Sequence, residues 1–123
     1  MKLYRYELKS NNDEIKLDTH TGILCGVDEV FKVSELPDAC WYFEENLELP
    51  NIHLFNTISF FTEKGNRKFH KAIKELSNTY KNKNIDVIRI EIDKEDVRDI
   101  IEYEDEYQVI ITRDVYEGST TIM

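Results

Sequence analysis

The sequence predicts an α+β fold: a single globular domain over residues 1–123, with a mixed or antiparallel sheet and about two helices packed on it. Three observations support this class. Several short segments show the alternation or the β-branched composition of strands. Two longer segments repeat apolar residues at helical spacing. Strands and helices do not alternate regularly enough for a doubly wound parallel sheet, and 123 residues can form one core without disulfides.

The N-terminal segment predicts a strand followed by an irregular stretch. Residues 3–9 place Tyr4, Tyr6 and Leu8 on one side and charged side chains on the other, which is typical of a half-buried strand. Residues 14–33 contain two glycines that interrupt any pattern. We expect a loop there, with short strands near 23–24 and 30–33.

The next segment predicts a helix from residue 34 to about residue 47. Pro37 falls in the first turn of the pattern, where proline is tolerated. The expected buried stripe consists of Leu36, Cys40, Phe43 and Leu47. Trp41 and Tyr42 lie beside this stripe, and we expect them at the edge of the core rather than stacked on a ligand.

The middle of the chain predicts a central strand that leads into a long helix. Residues 52–62 carry apolar side chains on both faces, as a strand covered on both sides does. Thr62 predicts the cap of a helix that extends from Glu63 to about Tyr80. The apolar stripe of this helix consists of Phe69, Ile73, Leu76 and Tyr80.

The C-terminal part predicts two further strands. Residues 85–92 and 107–113 are rich in isoleucine and valine. Between them, Asp93 predicts the cap of a short helical turn that extends to Ile101. We expect the last residues to form a frayed tail.

Charge is the strongest functional signal in the sequence. The chain carries 25 acidic and 16 basic residues, a formal net charge of −9, which argues against direct binding of nucleic acid. Residues 86–106 hold ten carboxylates against three basic residues. An acidic surface of this kind favours a partner protein with a basic surface. The candidate partner-binding residues are Asp99, Glu102, Glu104, Asp105 and Glu106.

Several classes of protein are disfavoured. The N-terminus lacks the apolar core of a secretory leader, and no apolar run is long enough to span a membrane, so we expect a cytoplasmic location without membrane contact. Cys25 and Cys40 are then expected to be reduced, buried thiols. His20, His53 and His70 lack the spacing of metal ligands, and we expect no metal.

Three segments together resemble the small ADP-ribosyltransferase-like domains. These are Leu3-Tyr4-Arg5 on the first strand, Ser59-Phe60-Phe61-Thr62 on a middle strand, and Glu104-Asp105-Glu106 before a late strand. The resemblance implies that Arg5 holds the pyrophosphate of NAD and that Ser59 or Thr62 braces the nicotinamide side. It also implies that Glu106 stabilises the ribosyl cation and Glu104 orients the acceptor. NAD is the cofactor under this alternative only, and no other cofactor is expected.

Three hypotheses for the function follow from the sequence. The first is an acidic protein that inhibits or neutralises a partner through a nucleic-acid-like charge pattern, as a defence-system inhibitor from a phage or mobile element or an immunity protein does. The second is the NAD-dependent transferase. The third is a nucleotide-type ligand binder, in which Lys68, Lys71 and Lys74, spaced for one helix face, contact phosphate. We favour the first, and the oligomeric state stays open.

Overall fold

The computed structural model describes residues 1–116 and confirms the α+β class. Five strands form one sheet: β1 (Lys2–Ser10), β2 (Thr57–Thr62), β3 (Ile85–Asp93), β4 (Ile101–Glu104) and β5 (Gln108–Thr112). Their order in the sheet is β3-β1-β2-β5-β4, so β2 is the middle strand as predicted. The β1–β2, β2–β5 and β4–β5 pairs are antiparallel.

Helical segments are more numerous than the two predicted. The α-helices are α1 (Val27–Val30), α2 (Asp38–Asn46), α3 (Glu63–Lys68) and α4 (His70–Lys81). Two 3₁₀ segments cover Val33–Glu35 and Lys94–Ile100, and a helical turn covers 113–116. The frayed tail expected at the C-terminus lies outside the described residues.

The described chain divides into two compact units. Unit 1 comprises Met1–Arg5, Leu49–Lys68 and the described chain from Glu91 onward, and unit 2 comprises Tyr6–Glu48 and Phe69–Ile90. The single domain expected from the chain length stays a prediction.

The core of unit 1 is aliphatic with one phenylalanine. It consists of Leu3, Ile58, Phe60, Val97, Val109 and Ile111, all at most 5% exposed. Val97 enters this core from the 3₁₀ segment that Asp93 caps, where the Asp93 carboxylate accepts a hydrogen bond from the backbone N–H of Glu95 at 3.2 Å. The predicted cap at Asp93 is therefore confirmed.

The core of unit 2 is built along α4. The predicted stripe of this helix, Phe69, Ile73, Leu76 and Tyr80, is buried throughout. The Phe43 ring of α2 stacks on the Phe69 ring at a centroid distance of 5.0 Å. The Tyr80 hydroxyl donates to the carbonyl oxygen of Ile23 at 2.7 Å, and burial raises the pKa of this hydroxyl.

The central part of the chain departs from the prediction at two places. The strand predicted from residue 52 begins at Thr57, because Asn56 adopts a left-handed conformation (φ 62°) that interrupts the extended backbone. The helix predicted from residue 63 to 80 is two helices, because Phe69 leaves helical geometry (φ −97°, ψ 10°). The cap at Thr62 is confirmed, since its hydroxyl oxygen accepts from the N–H of Gly65 at 3.0 Å.

Other predicted boundaries are also wrong. Residues 30–33 are not a strand, because the N–H of Val30 donates to the Gly26 carbonyl in a short helix. The helix predicted from residue 34 begins at Asp38, since Pro37 is extended (ψ 161°) at its N-cap.

Two burial predictions and one element also need correction. Arg5, predicted on the charged face of a half-buried strand, is only 8% exposed. Cys25 is exposed rather than buried, although both cysteines are free thiols. The predicted helical turn stops at Ile100, and Ile101 begins β4, a strand that the sequence did not predict.

Candidate functional site

Asp105, one of the five predicted partner-binding residues, holds the β4–β5 turn of unit 1. Its Oδ1 accepts hydrogen bonds from the backbone N–H groups of Tyr107 and Gln108 at 2.8 and 2.9 Å. Its Oδ2 accepts from the Tyr103 hydroxyl at 2.8 Å. Partial burial alone would raise the pKa of Asp105, but these hydrogen bonds to the ionised form outweigh it and lower the pKa. Asp105 therefore stabilises the turn rather than facing a partner.

The two glutamates of this turn are neutralised by lysines of the same unit. Lys94 Nζ lies 2.5 Å from a carboxylate oxygen of Glu104, and Lys64 forms an ion pair with Glu106. Lys68 Nζ lies 4.0 Å from the centre of the Tyr107 ring, so a third cation lies at the same turn. The local charge is therefore partly compensated within unit 1.

Asp99 and Glu102 are the more available members of the predicted acidic set. Both are exposed, and Asp99 forms no ion pair within the described part of the chain. The carboxylate of Glu102 accepts a hydrogen bond from the Thr112 hydroxyl at 3.1 Å. Asp99 precedes β4, Glu102 and Glu104 lie on it, and Asp105 and Glu106 follow it, so the five residues flank both ends of this strand.

The three motif segments of the transferase resemblance lie on or directly before neighbouring strands, β1, β2 and β5. Their side chains do not converge. Tyr4 lies opposite Phe61 in the β1–β2 register, so these two share a face. Because side chains alternate along a strand, Ser59 shares the face of Phe61 and Arg5 points to the other face. The guanidinium of Arg5 donates to the carbonyl oxygen of Ser59 at 2.8 Å.

The residues as placed do not fit a site for NAD. Arg5 is buried and holds a carbonyl of β2, while Glu104 and Glu106 form ion pairs with lysines. Thr62 is engaged in the turn, because its hydroxyl donates to the Glu106 carbonyl at 2.7 Å. The family resemblance itself stays a prediction.

The three lysines of the predicted phosphate contact do not share one continuous helix. Lys68 is the last residue of α3, in unit 1, and its ammonium group lies over the Tyr107 ring. Lys71 and Lys74 are exposed residues of α4, in unit 2. The break at Phe69 removes the single helix face on which the prediction depended.

A different acidic surface lies on α2 of unit 2. Trp41 is 48% exposed near the middle of this helix. Asp38 and Glu44 are three residues from Trp41 and Glu45 is four residues from it, so all four side chains share one side of the helix. The three carboxylates form no ion pair among residues 1–116. We call Asp38, Trp41, Glu44 and Glu45 the acidic–aromatic face.

The opposite side of α2 fixes this face in place. Ala39 and Phe43 are buried, and the Tyr42 ring makes an edge contact with the Phe69 ring at 5.7 Å. Partial burial raises the pKa of the Cys40 thiol. The buried side of α2 is therefore packed in the core of unit 2, and the acidic–aromatic face lies on its exposed side.

The sequence contains a signal for this face that the acidic run at residues 86–106 obscures. Asp38, Trp41 and Glu45 follow the spacing of neighbours on a helix, as do Trp41 and Glu44. A helix that begins at residue 34 places Trp41 at the edge of the core. In the structure Phe43 is buried and Trp41 is half-exposed.

Comparisons with known proteins give no assignment. No family model matches the chain, and no curated protein or solved structure matches it either. Within residues 1–116, no helix has the length and apolarity needed to cross a membrane. The same residues contain no group of three His, Cys, Asp or Glu side chains placed to hold a metal ion.

Proposed function

We propose that this protein binds a partner protein through the acidic–aromatic face of α2 and that the partner presents a basic surface. The observation that carries the proposal is the half-exposed Trp41 among three carboxylates that have no ion-pair partner in the described chain. By covering a basic functional surface, such binding inhibits or neutralises the partner.

Charge on the segment around α2 supports a basic partner. Residues 27–48 contain seven carboxylates and one lysine, a net charge of −6 in the sequence, and one of these carboxylates, Glu35, is paired with Lys83 at 2.9 Å. A patch with this excess of negative charge steers a positively charged protein toward it and accelerates association at low salt. A basic site that normally contacts phosphate groups is also attracted to such a patch, which is the physical basis for inhibition by charge mimicry.

The aromatic residue supports a specific contact in addition to the charge. Tryptophan is enriched among the residues that dominate binding energy at protein interfaces. An arginine or lysine from the partner can lie on the indole face while its charge contacts Glu44 or Glu45, which combines a cation–π contact with an ion pair. Phe43, stacked on Phe69, anchors the helix, so binding requires little ordering of the backbone.

A peptide selection on the full chain tests the proposal without assuming any partner sequence. A displayed peptide library without charge bias is selected for binding to the wild-type protein. The enriched peptides are then synthesised, and their affinities are measured by calorimetry at low and high salt. We expect enriched peptides to be rich in arginine and lysine and to bind more weakly at high salt. We expect Trp41→Ala to lower their affinity about 30-fold, the usual effect of removing an interface hot spot.

The matched control separates the two acidic surfaces. Glu44→Gln with Glu45→Gln removes two charges from α2, and Asp99→Asn with Glu102→Gln removes two charges from the surface predicted from sequence. The first pair should lower affinity about tenfold and the second less than about twofold. The proposed face would be contradicted if the enriched peptides had no excess of basic residues. It would also be contradicted if the two pairs of substitutions lowered peptide affinity equally.

A further inference from the structure

Unit 2 contains an open pocket of about 780 Å³ that the proposed binding face does not include. Its walls come from the second half of β1, from the loop over residues 11–20 and from Ile88 of β3. Small-molecule sites in proteins usually have volumes between about 300 and 1,000 Å³. The pocket is therefore large enough for a ligand the size of a mononucleotide.

Hydrogen bonds fix the loop that forms one wall. The Ser10 hydroxyl donates to the Ile15 carbonyl at 2.6 Å, which closes the start of the loop. The side-chain amide of Asn12 donates to the Lys83 carbonyl at 3.1 Å and ties the loop to the end of α4. These bonds link the loop to β1 and to the turn that follows α4.

The pocket wall carries both signs of charge. Lys9 and Lys16 line it, and neither ammonium group has an ion-pair partner in the part of the chain that the structure describes. Asp13 and Asp18 line it as well, and among the described residues their carboxylates likewise form no ion pair. A ligand that matches this wall carries an anionic group together with hydrogen-bond donors such as hydroxyls.

The rest of the wall is apolar or aromatic. Ile15, Leu17 and Ile88 contribute apolar surface. His20 also lines the pocket, and its Nδ1 lies 3.0 and 3.1 Å from the two carboxylate oxygens of Glu7, which fixes the ring. His20 has a left-handed backbone (φ 63°), a conformation that persists in a folded protein only where the surroundings impose it.

We propose that this pocket binds a mononucleotide. The phosphate contacts the ammonium groups of Lys9 and Lys16, since lysine binds phosphate as a compact charge. The ribose hydroxyls donate to Asp13 or Asp18, as carboxylates accept from ribose hydroxyls in dinucleotide sites. The base packs on the apolar wall beside the His20 ring. This site is independent of the α2 face.

Titration of the full chain with AMP, followed by amide chemical shifts, tests the site. We expect saturable shifts confined to residues 8–20 and 88, with weaker binding of inorganic phosphate and of adenosine. Lys9→Ala with Lys16→Ala should lower affinity at least about tenfold. Lys71→Ala with Lys74→Ala is the matched control, because it removes the same charge from exposed positions of α4 and should leave affinity within about twofold.

The position of His20 allows a second variant that keeps the fold. Asparagine tolerates a left-handed backbone, so His20→Asn removes the ring without forcing a new conformation. We expect a loss of affinity of about threefold or more for AMP. Three results would overturn the site: no saturable shifts at millimolar AMP, shifts centred outside the pocket, or equal losses in the two lysine pairs with both variants folded by circular dichroism.

Discussion

The acidic turn of unit 1 and the acidic–aromatic face of unit 2 are similar in composition and different in what they offer to a partner. In the turn, Glu104 and Glu106 are paired with lysines and Asp105 is bound by backbone N–H groups. On α2, the carboxylates of Glu44 and Glu45 have no ion-pair partner within residues 1–116, and an indole lies between them and Asp38. The difference shows that the carboxylates of an acidic run can be occupied within the protein itself. The decisive feature is whether cations of the same unit already lie against the run.

The largest effect should come from Gly65, which allows the turn of unit 1 to approach α3. A Cβ atom at this position would overlap the carbonyl oxygen of Tyr107, a backbone atom that also accepts from the N–H of Thr62. We expect Gly65→Ala to lower the free energy of unfolding by about 3 kcal/mol, measured by urea denaturation.

Gly26 in unit 2 provides the control for that substitution. Its added Cβ would meet the tip of the Leu8 side chain, which can change rotamer. Gly26→Ala should therefore cost about 1 kcal/mol, less than Gly65→Ala. Equal costs at the two glycines would show that the turn of unit 1 is not fixed against α3.

Arg5 should behave as a structural residue of unit 1. Its side chain is buried, and removal would leave the Ser59 carbonyl without this donor. We expect Arg5→Ala to lower the free energy of unfolding by about 2 kcal/mol, measured by denaturation. Release of nicotinamide from NAD by the wild type, lost in Glu106→Gln without a change in stability, would instead support the transferase resemblance.

Asp105 should make the stability of unit 1 depend on pH. Because its pKa is lowered in the folded state, its contribution is complete above the unfolded carboxyl pKa of about 4 and is lost as the pH falls through the folded-state value. We expect Asp105→Asn to cost about 1 to 2 kcal/mol at pH 7. The difference in Tm between wild type and variant should be constant at neutral pH and should shrink as the pH falls below about 4. A constant difference would contradict this role.

The smallest change in stability should come from the acidic–aromatic face. Trp41 is half exposed, and the side chains of Glu44 and Glu45 are exposed. Trp41→Ala should therefore change the free energy of unfolding by less than about 1 kcal/mol, and so should the double variant Glu44→Gln/Glu45→Gln. Thermal unfolding checks this. A larger loss would mean that Trp41 supports the core of unit 2, and the face would then be structural like the turn of unit 1.

Elements with strong local patterns were predictable from sequence. The alternation around Tyr6 indicates β1, the isoleucine-rich segment before Asp93 indicates β3, and the stripe from Phe69 to Tyr80 identifies the buried side of α4. Strand β4 has four residues and pairs with β5 through an irregular register, so its existence depends on tertiary pairing. The position of Arg5 also depends on pairing, because its guanidinium donates to the Ser59 carbonyl of β2.

The candidate site was only partly predictable. Composition indicates an acidic surface, but the pairing of Glu106 with Lys64 depends on residues far apart in sequence. The face on α2 follows from helical spacing, whereas the exposure of Trp41 depends on the packing of Phe43 against Phe69, which the sequence does not specify. The pocket beside His20 has no sequence signal, since its walls meet only through the fold.

Hydrogen exchange on the full chain, with and without a selected basic peptide, tests the central claim most directly. If the acidic–aromatic face is the binding surface, the peptide should slow the exchange of backbone amides across α2. Exchange across β4 and the following turn should not change. Slower exchange at residues 101–107 with no change at α2 would contradict the claim. The binding surface would then be the acidic run predicted from the sequence.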